Sequence, residues 1–184
     1  QFKSENSKKI IQELKYRHYY VLLAAYLATS KCESKNFVEC GVCDGLTSFF
    51  ILNQYAKSEN YNGYLYDLWQ PQKNYEKISL EVTKNNLREK NKLFFNKGSI
   101  PSVFSQSINP ERISLLHIDL NNAKATTDSL EYFYNKIEKN GIILFDDYGS
   151  DTFVETKNQV EIFLENKDGI FFQFPTNQAI FIKS

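Results

Sequence analysis

Two apolar runs, each ending in acid, constrain this chain more than any other feature: Ile-Ser-Leu-Leu-His-Ile-Asp (113–119) and Gly-Ile-Ile-Leu-Phe-Asp-Asp (141–147). Short continuous apolar runs of this kind read as strands buried on both faces, as in a parallel sheet covered by helices. In an open α/β sheet the carboxyl ends of the strands are where ligands bind. Asp119, Asp146 and Asp147 stand at two such ends, and three gathered carboxylates repel unless something positive sits between them. A hard divalent cation such as Mg²⁺, which takes oxygen ligands, meets that need. The competing reading is structural: an acid after a strand caps the next helix, and Asp-Asp-Tyr-Gly makes a good turn.

The rest of the chain alternates in the same way. Residues 5–29 read as a helix, with Ile11, Leu14, Val21, Leu22 and Ala25 along one face. Strands are expected at 37–40, 63–67, 93–97, 113–119 and 141–146, with helices at 46–56, 76–90, 125–139 and 152–166. Asn140-Gly141 reads as the stop of the helix over 125–139. Residues 169–174 and 178–183 flank Pro-Thr-Asn and read as a closing hairpin. The pattern predicts an α/β, Rossmann-like, doubly wound fold. Its seven-stranded sheet is mainly parallel, has helices on both faces, and ends in an antiparallel hairpin.

At 184 residues the chain is expected to form a single domain over 1–184, with residues 1–30 as an N-terminal helical segment serving as lid or dimer contact. A homo-oligomer is left open on that account. The formal net charge of zero gives no electrostatic reason to expect nucleic acid or a membrane as partner. No apolar run approaches the roughly 20 residues that span a bilayer. Three cysteines (32, 40 and 43) form no spread-out disulfide framework, which points to a reducing cytoplasm. The chain contains no Met, so its native start is expected to be missing or replaced.

Phe-Val-Glu-Cys-Gly-Val-Cys-Asp-Gly (37–45) reads as strand, glycine turn and helix start. Glycine lets the backbone approach a ligand closely, and the helix start offers free N–H groups. The pattern Glu-x-Gly-x-x-x-Gly lacks the middle glycine that seats a dinucleotide pyrophosphate. Glu39 instead suits a cationic or donor-rich ligand. Asp67, at the end of the second strand, can accept hydrogen bonds from both hydroxyls of a ribose. The plainer alternative makes both glycines turn residues and Asp67 a cap.

These residues resemble the class I S-adenosylmethionine-dependent methyltransferases and, more narrowly, the macrocin O-methyltransferase (TylF-like) family. The likeness runs from about Phe37 onward and is carried by Phe-Val-Glu-Cys-Gly-Val (37–42), Leu-His-Ile-Asp (116–119) and Phe-Asp-Asp-Tyr-Gly (145–149). It implies that S-adenosylmethionine is held by Glu39, Gly41, Val42, Gly45 and Asp67, with Ser48, Gly98 and Ser99 as further contacts. It also implies that Mg²⁺ is held by Asp119, Asp146 and Asp147. Where the family usually carries a second acid after the fourth strand, this chain has Asn121, which offers a neutral oxygen and one negative charge fewer.

The implied reaction is methyl transfer to a hydroxyl, ideally of a vicinal diol, on a small-molecule or saccharide acceptor. A metal would lower the pKa of that hydroxyl, and a base must take its proton. Asp119 and His117, two residues apart on one face of the strand, are the catalytic candidates, with Lys124 and Tyr148 as alternatives; His117 can equally be a packed strand residue. Two rival classes stand beside this reading: a non-catalytic domain of the same fold, and a thiol redox protein built on Cys40-Gly-Val-Cys43.

Overall fold

A computed structural model describes residues 15–71, 77–87 and 92–184. Seven strands form one sheet in the order β3-β2-β1-β4-β5-β7-β6. They are β1 (Asn36–Cys40), β2 (Asn62–Asp67), β3 (Leu93–Lys97), β4 (Ile113–Ile118), β5 (Ile137–Phe145), β6 (Gly169–Gln173) and β7 (Ala179–Lys183). The first five are parallel, and β7 runs antiparallel to both β5 and β6, so the closing hairpin is present. The described helices are α1 (Lys15–Lys31), α2 (Leu46–Tyr55), α3 (Leu80–Leu87), α4 (Ala123–Phe133) and α5 (Val154–Leu164). Residues 5–14 of the first expected helix, and 76 and 88–90 of the third, lie outside the described residues.

The period-2 alternation of a strand sends neighbouring side chains to opposite faces, and here both faces are covered. Phe37, Leu65, Leu115 and Leu144 pack with Val21, Ala24, Ala25 and Ala28 of α1, Ile51 and Leu52 of α2, and Leu87 of α3. Val38, Tyr66, Leu116 and Ile143 pack on the other side with Leu130 and Phe133 of α4 and Val160 of α5. All six residues of β4 are buried, as its unbroken apolar run requires. The sheet is therefore doubly wound.

One boundary differs from expectation. Leu130, Phe133, Tyr134 and Ile137 are all buried, yet α4 ends at Phe133, Tyr134–Lys136 is a 3₁₀ turn, and Ile137 already belongs to β5. The helical spacing ran on across that turn because the turn and the strand start face the same core. The helix stop expected at Asn140-Gly141 instead lies within β5. The register against β4 jumps from Ile113↔Ile137 to Leu115↔Ile142, and Asn140 takes the left-handed conformation at φ 65°. Glu138 in this bulge accepts from the backbone N–H groups of Glu33 and Ser34, at 3.0 and 3.1 Å, and so ties the bulge to the α1–β1 turn.

Order β2-β1-β4 makes β1/β4 the point where successive connections leave in opposite directions, the usual place for a cofactor crevice. The ladder continues past the strand ends there: Gly41 N–H donates to the Tyr66 carbonyl at 2.9 Å and Asp119 N–H to the Cys40 carbonyl at 2.8 Å. Gly41 sits at φ +87°, and a Cβ on it would stand 1.8 Å from the Asp119 carbonyl oxygen. A left-handed non-glycine residue alone costs roughly 1–3 kcal/mol, and here a backbone clash adds to it. Gly41→Ala is therefore expected to lower the melting temperature by more than about 8 °C or to abolish soluble folding. A melting curve matching the parent would contradict this packing.

Candidate active site at the carboxyl ends of the parallel strands

The glycine turn 41–45 is closed by the acid ending β2. Asp67 Oδ2 accepts from the backbone N–H groups of Val42 (2.7 Å) and Cys43 (2.9 Å), and Oδ1 accepts from Trp69 N–H (2.6 Å). A carboxylate has about four acceptor sites, so one remains for a further donor such as a ribose hydroxyl. Gly98 N–H donates to the Asp67 carbonyl at 3.0 Å, which brings Gly98 and the exposed Ser99 beside it. Trp69, the chain's one tryptophan, is 2 % exposed, and its Nε1–H is shared between the Cys43 carbonyl (3.1 Å) and Thr83 Oγ1 (2.9 Å). Thr83 Oγ1 in turn donates to the Cys43 carbonyl at 2.7 Å. The loop after β2 and helix α3 thus fix the glycine turn from outside. Sequence reasoning missed Trp69 and Thr83, and no local motif marks them.

Glu39, two residues before this turn on β1, is fully buried. Its Oε2 accepts from Ser48 Oγ on α2, and its Oε1 lies 3.2 Å from His117 Nδ1, opposite it in the β1–β4 register. Both carboxylate oxygens are thus engaged by the protein. His117 is equally buried, and its Nε2 has no hydrogen-bond partner among the described residues. Burial pulls the imidazole pKa down, but the hydrogen bond and charge of Glu39, with the charges of Asp146 and Asp119, outweigh it, and the net direction is up.

Asp119, Asp146 and Asp147 are brought together as expected: one carboxylate oxygen from each lies within 4.8 Å of the others. Asp119 follows β4 with its carboxylate free of hydrogen bonds among the described residues. Burial and the charge of Asp146 raise its pKa well above the ordinary value, while the charge of His117 opposes them. The unexpected member is Arg17 on α1. Its Nη2 donates to Asp146 Oδ2, to Asp147 Oδ1 (2.9 Å) and to the Asp146 carbonyl (3.0 Å). Gln178 Nε2 of the hairpin donates to Asp146 Oδ1 at 2.8 Å. A legible signal for Arg17 existed. It continues the i, i+4, i+7, i+11 series of Arg17, Val21, Ala24 and Ala28, and a guanidinium on a buried helix stripe demands carboxylates.

The donor set fits both expected groups. Three clustered carboxylates suit a hard cation, provided Arg17 yields its contacts. The open acceptor site on Asp67 and the exposed lip at Ser99 suit a nucleoside. Asn121 (φ 50°) stands next to the cluster, and Asn122 caps α4 through Oδ1, which accepts from Ala125 N–H at 2.9 Å. The other base candidates are engaged elsewhere. The Tyr148 hydroxyl donates to Glu161 at 2.7 Å, with its pKa pushed up by burial, and exposed Lys124 pairs with Asp128 at 2.8 Å. Burial also pushes the Cys40 and Cys43 thiols up to about 12, so neither is a thiolate near neutral pH, which removes the basis of the redox reading.

Sheet order and acid-tipped strands define a Rossmann-like cofactor-binding domain. A family model described as a methyltransferase domain matches residues 38–148, more than half of the sequence, and the chain belongs to this class I, S-adenosylmethionine-dependent methyltransferase family. No curated protein matches it by sequence. The fold is shared with the O-methyltransferase NovP: TM-score 0.76 and 16% identity, over 91% of this chain and 79% of that one. It is shared too with CalS11, a TDP-rhamnose 3'-O-methyltransferase of calicheamicin biosynthesis, at TM-score 0.64 and 15% identity over 97% and 80%. The S-adenosylhomocysteine-bound methyltransferase PaMTH1 of Podospora anserina gives 0.67 and 10% over 91% and 78%. Among the described residues no helix is long and apolar enough to cross a membrane.

The buried Glu39–His117 pair has a testable pH signature. A folded pKa above the ordinary 6.5 means stability that is fully present below that value and lost as pH rises through the folded pKa. The stability advantage of the parent over His117→Asn is expected to be larger near about pH 5.5 than near about pH 9 in urea unfolding. An advantage independent of pH would contradict a charged imidazole.

Proposed function

We propose that this methyltransferase is an O-methyltransferase of the macrocin O-methyltransferase (TylF-like) type. Its acceptor is a hydroxyl of a vicinal diol on a saccharide or small molecule, and its metal is Mg²⁺ at Asp119, Asp146 and Asp147. The observation that carries this reading is the carboxylate trio, within 4.8 Å at the ends of β4 and β5, beside the turn that Asp67 closes. The sugar O-methyltransferase activity named for CalS11 supports the acceptor class.

When bound, the cofactor would supply an electrophilic methyl group on a sulfonium, and Mg²⁺ held by Asp119, Asp146 and Asp147 would supply a Lewis acid that lowers the pKa of an acceptor hydroxyl. What the chain does is hold, orient and accept a proton. Asp67 takes a ribose hydroxyl on its remaining acceptor site, with Gly98 and Ser99 alongside. The turn Gly41–Gly45, including Val42, receives the amino-acid end. Glu39 and Ser48, bonded to each other, are the further cofactor-binding residues beside it. Asp119 is the catalytic carboxylate: one of its oxygens would hold the ion, and the other, with no donor among the described residues, is open to the acceptor's proton, while His117 behind it is paired with Glu39. The reaction is expected to run in the cytoplasm, where the three free thiols stay reduced.

The test is transfer of labelled methyl to a panel of nucleotide-linked sugars, free glycosides and catechols. Turnover is expected on a diol, and Asp147→Ala is expected to lose it by roughly 100-fold or more while S-adenosylhomocysteine affinity stays within a few fold. Full turnover in that variant, or in excess EDTA, would overturn the metal assignment. Transfer confined to nitrogen or carbon acceptors would overturn the acceptor class.

A further inference from the structure

The carboxylate cluster already holds a cation that belongs to the protein. Arg17 Nη2 touches Asp146 Oδ2 and Asp147 Oδ1, and its Nη1 donates to the Thr176 carbonyl in the β6–β7 turn at 3.4 Å. With Gln178 on the remaining oxygen of Asp146, both oxygens of that carboxylate are in use. A Mg²⁺ ion needs such oxygens directly, at about 2.0–2.1 Å. Nη2 stands in contact with both Asp146 Oδ2 and Asp147 Oδ1, so an ion bridging those two oxygens would stand where the guanidinium stands, and two like charges do not occupy one place.

Charge decides whether exchange is plausible. Arg17 offsets only one of the two charges of Asp146 and Asp147 and makes no hydrogen bond to Asp119, and His117 is already paired with Glu39. A divalent ion in Arg17's place offsets both. Val21, Ala24, Ala25 and Ala28 fix the later part of α1 in the core, while the contacts of the turns before them include Arg17, buried His18 against Phe50 and the Tyr20–Phe174 stack at 3.9 Å.

We infer that Arg17 and a divalent cation are alternative occupants of the Asp119–Asp146–Asp147 cluster. Ion binding expels the guanidinium and loosens the first turns of α1 from the β6–β7 turn, and loss of the ion latches them again. The inference rests on the cluster being a cation site. It makes Arg17 the residue that sets metal affinity and couples metal occupancy to the segment covering one side of the site.

Mn²⁺ alone, without cofactor or acceptor, is the probe. Its affinity would be measured by calorimetry on the parent and on Arg17→Ala, and amide exchange over α1 followed in both. Arg17→Ala is expected to bind Mn²⁺ roughly tenfold more tightly or better. In the parent, Mn²⁺ is expected to speed exchange at 17–20 while 24–28 and β1 stay protected; in the variant, 17–20 exchange fast with or without the ion. Equal affinities, or parent exchange at 17–20 unmoved by saturating Mn²⁺, would overturn the latch and leave the cation site standing. Absence of Mn²⁺ binding in both proteins, each shown to be folded by S-adenosylhomocysteine binding, would overturn the cation site and the latch together. Should Arg17→Ala fail to fold, exchange in the parent decides alone.

Discussion

Parallel strands deliver carboxylates to one edge of the sheet, and each carboxylate has to be compensated in a region with little water. Glu39, Asp67, Asp119 and Asp146 stand at or just beyond the carboxyl-terminal ends of β1, β2, β4 and β5, four strands of one sheet. Much of the local architecture answers that constraint. Asp67 is satisfied by the N–H groups of the glycine turn and of Trp69, and so gives that turn its shape. Glu39 is satisfied by Ser48 and His117, which joins α2 and β4 to β1. Asp146 and Asp147 are satisfied by Arg17 and Gln178, which draws α1 and the closing hairpin onto the site. Removing one partner from such an arrangement leaves a charge with no compensation, which is costlier than never having buried the pair.

Asp119 is the exception among these carboxylates. Its carboxylate has no donor among the described residues, and its pKa rises because burial and Asp146 favour the neutral form. A carboxyl with so perturbed a proton affinity, beside a cofactor crevice, is a candidate functional group. The close approach of β1 to β4, which leaves no room for a Cβ at Gly41, sets Asp119 directly against the glycine turn.

Strands were legible in the sequence because burial on both faces writes an unbroken apolar run, and the acids at 119, 146 and 147 were legible because they end two such runs. The limit of α4 was not, since Tyr134 and Ile137 keep a helical spacing while pointing into the core from a 3₁₀ turn and a strand. Partners separated by more than a hundred positions were not legible either. Nothing local links Arg17 to Asp146, although its place on the buried stripe of α1 announced a need for a counter-charge. Trp69 and Thr83, which fix the glycine turn, carry no signal at all short of the folded loop.

The central claim is that the turn 41–45, closed by Asp67, holds S-adenosylmethionine, and the most direct test is calorimetric titration with S-adenosylhomocysteine of the parent and of Asp67→Ala. The geometry predicts saturable one-to-one binding in the parent, weakened roughly tenfold or more by loss of the carboxylate. Absence of binding in the parent, or equal affinity in both proteins, would contradict it.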